Sequence, residues 1–413
     1  MEKNDIWQWK NDVVYVRGAI RAAIYDFNNE DVYWLDEEGR EVAEKCVIAG
    51  QQPKTEKEKE FMQKLQEYGL YDGETRTFIE EEFRESGLNF AWLELTQKCN
   101  LRCVHCYEGP THVCNDELKK EDWISVLHTL KTEGCDRIQF IGGEPCCVPY
   151  LADLIQCAAT LDFKQTELFT NATIFNQDLL DCCQKHTVTV RISLYGSDAA
   201  THEGITGVKG SFEKTVYWIR KLLENHVKVS VAIVLMKENV NKRDEIALFL
   251  QKLGVNDFKF DVIRSVPGGI QSAHLVSEQD KHRYAYRKKP IFKADKKMFY
   301  RAMHENMCWA GKIAVSSDGN IYPCVFERNI VYGNIREQSL QEILRGKIKE
   351  SCWRLHFGMI EKCGSCEFRF ACSDCRALAN AESGNLYAKN PRCLYDPSRG
   401  IWNIEKQEVT END

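Results

Sequence analysis

Three cysteines stand within eight residues in the stretch CNLRCVHCYEG, residues 99–109. They are Cys99, Cys103 and Cys106, with His105 just before the third. A disulfide needs two cysteines and a structural zinc site needs four ligands, so a set of three fits neither. Three thiolates can hold three irons of a four-iron, four-sulfur cluster and leave the fourth iron open to a ligand from outside the protein. A zinc or structural site completed by a distant fourth cysteine is the alternative.

Cysteine is abundant throughout the chain, which has 19 in 413 residues. In a reducing compartment, so many thiols are more often metal ligands or buried apolar residues than disulfides. Eight cluster near the C-terminus, where C-x2-C pairs suggest zinc as readily as iron; these are Cys308, Cys324, Cys352, Cys363, Cys366, Cys372, Cys375 and Cys393.

The remaining eight cysteines are scattered, and we interpret most of them as small packing residues. Cys114 and Cys146 are the exceptions, because both are predicted in loops on the side of the cysteine triplet. The scattered set comprises Cys46, Cys114, Cys135, Cys146, Cys147, Cys157, Cys182 and Cys183.

Composition narrows the class of protein. The net charge of −7 argues against a nucleic-acid-binding surface, which usually carries excess Lys and Arg. No apolar run approaches the length of a membrane span, and the N-terminus MEKNDIWQWKND lacks the apolar segment of a secretory signal. We therefore expect a cytoplasmic protein without nucleic-acid or membrane partners.

The central part of the chain must position the cysteine triplet. Six strand patterns alternate with five helix patterns, which predicts a parallel sheet. The segment of about 175 residues is too short for an eightfold barrel, so a partial (β/α)6 barrel over residues 87–264 is predicted, with its chemistry at the carboxyl ends of the strands. The triplet follows the first strand at that end. The strand patterns are NFAWLELT, DRIQFIGG, TELFTN, TVTVRISLYG, KVSVAIVLMK and VNDFKFDVIR.

The flanking segments have patterns of their own. Residues 1–86 predict three strands (13–18, 22–27 and 31–36) and then three helices (37–50, 63–69 and 75–87), which is a small winged-helix-like α+β module. Residues 265–305 are charged and read as a bridging region. Residues 306–400 have too little periodic apolar sequence for a core of their own, which predicts a metal framework.

The triplet and the loops after it resemble the radical S-adenosylmethionine (radical SAM) superfamily. GGEP at 142–145 is similar to the family's glycine-rich loop, and TN (170–171) and SLYG (193–196) follow the next two strands. The resemblance implies a cluster on Cys99, Cys103 and Cys106 that cleaves S-adenosylmethionine to a 5′-deoxyadenosyl radical. It also implies cofactor contacts, which fall on His105, Gly142, Gly143, Glu144, Asn171 and Ser193.

The C-terminal cysteines resemble the SPASM domain, which holds two auxiliary iron–sulfur clusters. The resemblance implies one [4Fe-4S] cluster on Cys363, Cys366, Cys372 and Cys393, and another on Cys308, Cys324 and Cys375. Cys352 either completes this second set or leaves it with an open iron that could bind a substrate thiolate; we favour the open site slightly. Three [4Fe-4S] clusters are expected in total.

The N-terminal module is similar to domains that bind the leader of a ribosomally made peptide by strand addition. The chain as a whole resembles SPASM-type peptide maturases, including those that form thioether crosslinks. We expect a precursor peptide bound through residues 1–86 and an electron donor such as flavodoxin or ferredoxin. The alternatives are a carbon–carbon crosslinking maturase, an anaerobic sulfatase-maturing enzyme that forms formylglycine, and a non-catalytic iron–sulfur protein. No residue is identified as a general base.

Overall fold

The computed structural model describes residues 5–74, 76–78, 83–107, 116–265, 272–286 and 292–403. Cys114 therefore lies outside the described residues. The chain divides into two compact units. The first comprises residues 1–85, 286–310 and 353–413, and the second comprises residues 86–285 and 311–352.

The strands, in chain order, are β1 (Ile6–Lys10), β2 (Val13–Arg17), β3 (Ala22–Asp26), β4 (Asp31–Leu35), β5 (Arg76–Thr77), β6 (Phe90–Glu94), β7 (Arg137–Ile141), β8 (Gln165–Thr170), β9 (Thr189–Ser193), β10 (Val229–Leu235), β11 (Asp257–Val262), β12 (Lys312–Val315), β13 (Asn320–Tyr322), β14 (Gly333–Asn334), β15 (Tyr395–Asp396) and β16 (Ile401–Trp402).

The helices are α1 (Glu37–Val42), α2 (Glu56–Glu67), α3 (Lys120–Thr132), α4 (Leu151–Thr160), α5 (Gln177–Lys185), α6 (Ala199–Thr206), α7 (Ser211–Glu224), α8 (Arg243–Leu253), α9 (Glu278–Asp280), α10 (Lys296–His304), α11 (Leu340–Leu344), α12 (Lys347–Trp353) and α13 (Arg376–Ser383). Helix α1 continues as a π-helical segment, Ala43–Ile48, and α9 continues as Lys281–Ala285.

An antiparallel sheet in the order β4-β3-β2-β1-β5 begins the first unit. The three predicted strands are present as β2, β3 and β4, whereas β1 was not predicted. The helix predicted over residues 75–87 is wrong in the described part, because residues 76–77 form β5 and residues 83–87 are not helical. Gln8 and Trp7 of β1 pair with residues 76–77, and this pairing gives the segment an extended conformation.

The apolar face of this sheet shares a core with the C-terminal residues of the same unit. Val16 and Tyr25 pack in one buried cluster with Phe299 of α10 and with Phe368 and Phe370. The C-terminal segment therefore does have an apolar core, but its sequence supplies only part of it. This sharing explains why the segment alone shows so little apolar periodicity.

The second unit is built on a nine-stranded sheet in the order β11-β10-β9-β8-β7-β6-β12-β13-β14. Strands β6 to β11 are parallel to their neighbours and are joined by helices, which confirms the predicted partial barrel. Many of their apolar residues are buried, among them Ile138 and Phe140 of β7 and Val190 and Ile192 of β9.

Strands β12 to β14 extend this sheet beyond the predicted barrel. Strand β12 runs parallel to β6, from the Lys312–Phe90 pair to the Val315–Leu93 pair, and turns back into β13. Gly319 in this turn has φ +90°, and an added Cβ would lie 2.8 Å from the Asn334 Oδ1 atom. The turn thus requires the glycine that stands between Cys308 and Cys324 in the sequence.

Candidate active site

The loop that carries the cysteine triplet begins after Glu94, the last residue of β6. Two backbone hydrogen bonds hold the loop against the end of α6. Arg102 N–H donates to the carbonyl oxygen of Thr206 at 2.9 Å, and Val104 N–H donates to the carbonyl oxygen of Ile205 at 3.0 Å. The triplet is therefore anchored at the carboxyl rim of the parallel sheet, as predicted.

The three thiols of the loop are electrostatic neighbours. Burial, with smaller contributions from Glu144 and Cys106, raises the pKa of Cys99 to about 11, although a hydrogen bond from Leu101 N–H opposes the shift. Burial, followed by Cys99 and Cys106, raises the pKa of Cys103 to about 12. Binding iron therefore requires these thiols to release their protons, and their mutual proximity fits a shared cluster.

Two glycines bring the loop after β7 against the segment that leads into the triplet. Gly143 N–H donates to the Thr96 oxygen at 2.7 Å. A Cβ on Gly142 would lie 2.5 Å from the Thr96 oxygen, and one on Gly143 would lie 2.5 Å from the Lys98 oxygen. These glycines are thus required for the close approach of two backbone segments of this chain.

The side chain of Glu144 links the loop after β7 to the end of β8 by hydrogen bonds. It is fully buried and accepts hydrogen bonds from Thr170 Oγ1 at 2.5 Å, Asn171 N–H at 2.7 Å and Cys146 N–H at 3.0 Å. Burial raises the pKa of Glu144, while these hydrogen bonds oppose the shift. Because its carboxylate is engaged within the protein, Glu144 acts here by positioning Asn171.

Asn171 lies beside the triplet. Its Nδ2 donates to Asn100 Oδ1 at 3.0 Å and lies 3.9 Å from the Cys99 sulfur. Its Oδ1 accepts from Thr173. The predicted cofactor residues Gly143, Glu144 and Asn171 therefore meet Cys99 at one place on the rim.

His105 and Ser193 converge on Tyr195. The His105 ring meets the Tyr195 ring edge-on, with centroids 4.6 Å apart, and Tyr195 also has a side-chain hydrogen bond with Ser193. Burial lowers the pKa of His105 to about 4, so its imidazole is neutral near pH 7. The Nδ1 atom of this ring is buried and has no hydrogen-bond partner among the described residues, so it is available to a bound molecule.

Cys147, interpreted from the sequence as a packing residue, lies near the triplet. Cys147 accepts a backbone hydrogen bond from Asn100 and is among the groups that raise the pKa of Cys99. Cys146, predicted as an exception, is half-buried in the turn Pro145–Cys147, and its sulfur lies 3.4 Å from Thr170 Oγ1.

A buried ion pair at the end of β6 was also missed. Arg328 donates to both oxygens of Glu94, at 2.6 and 2.8 Å, and Glu94 also accepts from the Tyr107 hydroxyl at 3.1 Å. This pair joins the residue next to Cys106 to the segment that follows Cys324. The sequence signal, a glutamate at the end of a buried strand, is too common to identify it.

Four C-terminal thiols are also electrostatic neighbours. Burial raises the pKa of Cys363 to about 12, and Cys372 and Cys393 add to the shift. Burial also raises the pKa of Cys366 well above its ordinary value, with Cys372 and Cys363 among the contributors. The predicted ligand set Cys363, Cys366, Cys372 and Cys393 is thus brought together, which fits a four-thiolate cluster.

No three His, Cys, Asp or Glu side chains in the described ranges are arranged to hold a single metal ion. An iron–sulfur cluster differs in that each thiolate binds its own iron atom.

The other predicted ligands are Cys308, Cys324 and Cys375, with Cys352 as a possible fourth. Cys308 N–H donates to the Oδ1 of the buried Asn306 at 2.9 Å, and Cys375 precedes the first residue of α13. Cys324 is buried after β13. Cys352 is buried in α12, and its pKa is raised by burial and by Glu327, while a hydrogen bond with Tyr332 lowers it.

Comparison with known proteins identifies the class. Residues 93–250 match the model of the radical SAM superfamily, and residues 308–367 match that of the iron–sulfur cluster-binding domain named SPASM. The chain is therefore a radical SAM protein with a SPASM domain. It binds S-adenosylmethionine and a [4Fe-4S] cluster, with further iron–sulfur clusters in the SPASM domain.

Particular relatives are similar at low identity. The AdoMet-dependent heme synthase of Methanosarcina barkeri is 26% identical over 75% of this chain and 97% of its own length. The antilisterial bacteriocin subtilosin biosynthesis protein AlbA of Bacillus subtilis is 25% identical over 73% of this chain and 69% of its own length. The structure of Streptococcus suis SuiB bound to its precursor peptide SuiA matches with a TM-score of 0.60 and 16% identity, over 94% of this chain and 100% of that one.

A search of the described helices finds none that is long and apolar enough to span a membrane.

Proposed function

We propose that this protein modifies a ribosomally synthesised precursor peptide, most specifically by forming a thioether crosslink. The observation that carries the proposal is the open outer edge of β4 in the N-terminal sheet. Support also comes from AlbA, whose name places it in bacteriocin biosynthesis, and from SuiB, whose matched structure contains a precursor peptide.

The geometry of β4 makes it a template for an added strand. On its outer side, Asp31 forms a single bridge to Lys293, in which Ala294 N–H donates to the Glu30 oxygen at 3.0 Å. Backbone groups alternate in direction along a strand, so the N–H and C=O of Val32 face the same outer side as those of Glu30. No strand of the described chain pairs with Val32 there, and a leader peptide could add by backbone hydrogen bonds.

The residues at the carboxyl rim would then hold the cofactor. Cys99, Cys103 and Cys106 would bind the cluster, while His105, Gly142, Gly143, Asn171 and Ser193 would contact S-adenosylmethionine. When bound, these groups supply a radical that removes a hydrogen atom from a carbon of the peptide. Glu144 would orient Asn171, and neutral His105 would pack against the cofactor without adding a charge.

Formation of the crosslink requires a cysteine sulfur of the peptide to bond to that carbon. The thiol loses its proton and one electron passes to an acceptor, so the peptide becomes lighter by two hydrogen atoms for each crosslink. We assign the acceptor role to the auxiliary clusters, one on Cys363, Cys366, Cys372 and Cys393 and the other on Cys308, Cys324 and Cys375. An external donor such as flavodoxin or ferredoxin would reduce the radical cluster.

We further propose that Cys352 leaves the Cys308 set with an open iron. Burial raises the pKa of Cys352, and the side chains that also affect this pKa are Tyr332 and Glu327, with no cysteine among them. Cys352→Ala should therefore retain the full iron content after anaerobic reconstitution, whereas Cys324→Ala should lose iron. Loss of iron from both variants would instead make Cys352 a ligand.

The test of the function is anaerobic co-expression with short peptides encoded beside the gene, read by mass spectrometry. The wild-type protein should remove two hydrogens per crosslink, and fragmentation should place the bond on a cysteine. Val32→Pro removes the outer N–H and should abolish modification, whereas Val32→Ala keeps that N–H and should retain it. Equal activity of the two variants would remove β4 as the docking edge.

The heme synthase relative matches 75% of this chain and AlbA matches 73%, so the purified protein should also be assayed with an iron porphyrin substrate. Cleavage of S-adenosylmethionine coupled to porphyrin turnover, with peptide masses unchanged, would overturn the peptide assignment. A carbon–carbon crosslink would give the same mass loss without consuming a thiol, and alkylation of free cysteines separates the two.

A further inference from the structure

Arg369 is a buried cation that forms no ion pair with a carboxylate in the described part of the chain. It lies in the turn Arg369–Ala371, between Cys366 and Cys372, and only 1% of the residue is exposed. Its Nη1 donates to the Arg17 oxygen at 2.9 Å and to the Cys366 oxygen at 2.7 Å. Its Nε and Nη2 atoms are buried and have no hydrogen-bond partner in the described part of the chain.

Such an arrangement is costly in an apo-protein. A guanidinium group keeps its charge under all ordinary conditions, and a buried charge is tolerated only when it is paired and hydrogen-bonded. Two backbone carbonyls satisfy one of the three nitrogen atoms of Arg369. The fold therefore leaves one positive charge and at least two N–H donors unmatched at this place.

Burial lowers the pKa of Arg369, and Tyr25, Cys366, Asp5 and Glu367 oppose that shift, but neither carboxylate is hydrogen-bonded to the guanidinium in the described part of the chain. The buried carboxylate of Glu367 accepts the Tyr395 hydroxyl on one oxygen, and its other oxygen has no partner among the described residues. That second oxygen faces Gly18, where an added Cβ would lie 2.7 Å from it. Glu367 and Arg369 form no hydrogen bond with each other.

Arg376 provides an internal comparison from the same unit. It is as deeply buried as Arg369, yet it forms a two-point ion pair with Asp374 and donates to the carbonyls of Leu386 and Ala388, both at 2.7 Å. The buried guanidinium of Arg376 is therefore paired with a carboxylate of the protein. Arg369 has no such ion-paired carboxylate among the described residues, and Cys366, one of the predicted cluster ligands, is among its electrostatic neighbours.

We propose that Arg369 is the counter-charge of the cluster held by Cys363, Cys366, Cys372 and Cys393, and that its Nε and Nη2 groups donate hydrogen bonds to the sulfur atoms of this cluster. The inference rests on the ligand set assigned under the proposed function. Four thiolates around an oxidised [4Fe-4S]²⁺ core carry a net charge of about −2, and reduction adds another negative charge. A fixed cation and sulfur-directed donors stabilise the reduced form more, so Arg369 raises the reduction potential and favours acceptance of an electron.

The test uses full-length protein with Cys99, Cys103 and Cys106 replaced by alanine, so that only the auxiliary clusters remain. Arg369→Gln removes the charge and keeps amide donors, while Arg369→Lys keeps the charge. The midpoint potentials are measured by anaerobic redox titration with electron paramagnetic resonance. We expect Arg369→Gln to weaken reduction of one cluster at least tenfold, a shift of about 59 mV for one electron, and Arg369→Lys to weaken it less.

Lys362→Gln is the matched control. It removes the same charge next to Cys363, but from a side chain that is 52% exposed. Water screens an exposed charge, so this variant should change the potential much less. An Arg369→Gln potential no different from that of Lys362→Gln, with iron and sulfide unchanged, overturns the inference.

Iron content separates the failure of the inference from that of the ligand assignment. Cys372→Ala in the same background should lose one cluster, and unchanged iron would show that the assigned set is wrong, independently of Arg369. If Arg369→Gln loses a cluster, the iron content of Arg369→Lys distinguishes the two explanations. Retention of the cluster by Arg369→Lys supports the role of Arg369 as counter-charge. Loss of the cluster from both variants, with unchanged circular dichroism, overturns that role.

Discussion

At the scale of single residues, Glu144 shows how the rim of the sheet is organised, since its carboxylate accepts three hydrogen bonds inside the protein. The sequence GGEP indicates that the loop is special, yet it cannot show that the glutamate faces inward. Which way a rim side chain points depends on the neighbouring strand, and that information is not local in the sequence.

His202 should make the stability of the protein depend on pH. Burial lowers its pKa from 6.5 to about 4, and its Nδ1 accepts the Tyr195 N–H at 3.2 Å. The unfolded chain binds a proton below pH 6.5 and the folded chain does not until near pH 4. The free energy of unfolding should therefore fall as the pH drops through this window, by at most about 1.4 kcal/mol per pH unit.

This pH effect is measured by urea unfolding of the apo-protein at pH 7.5 and 5.5. His202→Asn offers an acceptor for the same N–H but cannot become charged, so its stability should decline less between the two pH values. The pKa of His105 is lowered in a similar way, and this residue contributes to the pH dependence of both the wild type and His202→Asn. The contribution of His202 is therefore the difference between the two proteins in how much unfolding free energy they lose. Parallel losses in the two proteins would exclude His202 as the cause.

At the scale of elements, the position of the cysteine loop depends on the close packing of backbones. Gly143→Ala would place a Cβ within 2.6 Å of the carbonyl oxygens of both Gln97 and Lys98. Backbone atoms cannot move aside cheaply, so the segment before Cys99 must shift, at a cost of about 1–3 kcal/mol. We expect reconstituted Gly143→Ala to lose iron from the radical cluster and to bind S-adenosylmethionine weakly.

Gly204→Ala is the control for this substitution. Gly204 lies in α6, the helix whose end accepts the backbone hydrogen bonds of the cysteine loop. An added Cβ on Gly204 would meet nothing within 4 Å. Alanine is the better helix former by about 0.5–1 kcal/mol, so this variant should be slightly more stable and keep its iron. Equal iron content in the two variants would show that the contact at Gly143 does not position the triplet.

The elements also show where sequence reasoning succeeds. The six parallel strands were predictable because each crossover repeats the same change from strand to helix periodicity, and their carboxyl ends must share one rim. Strands β12 to β14 were not predictable, since they have only two to four residues each and depend on β6 for pairing. The cysteine spacings predict ligand sets, but they give no sign of the bond between Arg328 and Glu94, which joins residues 234 positions apart.

At the scale of the whole molecule, the first 85 residues belong to the same compact unit as the last cysteines. The Tyr25 hydroxyl donates a hydrogen bond to the backbone carbonyl oxygen of Glu367 at 2.8 Å, and Ala19 N–H donates to the backbone carbonyl oxygen of Ser365 at 2.9 Å. These bonds hold the loop between Cys363 and Cys372. The segment proposed to bind the leader peptide is therefore also part of the framework of one cluster.

Deletion of residues 1–85 should consequently do more than abolish peptide binding. It would expose the shared core around Phe299, Phe368 and Phe370 and would remove the hydrogen bonds to the C-terminal cysteine loop. We expect the truncated protein to lose about four iron atoms, one [4Fe-4S] cluster, from the C-terminal set. Iron analysis after anaerobic reconstitution, with full-length Val32→Pro as the control, measures this loss.

A truncated protein with its full iron content would show that the N-terminal sheet is a separable domain. Loss of iron would mean that deletion cannot distinguish a peptide maturase from an enzyme that needs no leader, a question that single substitutions on β4 must then decide.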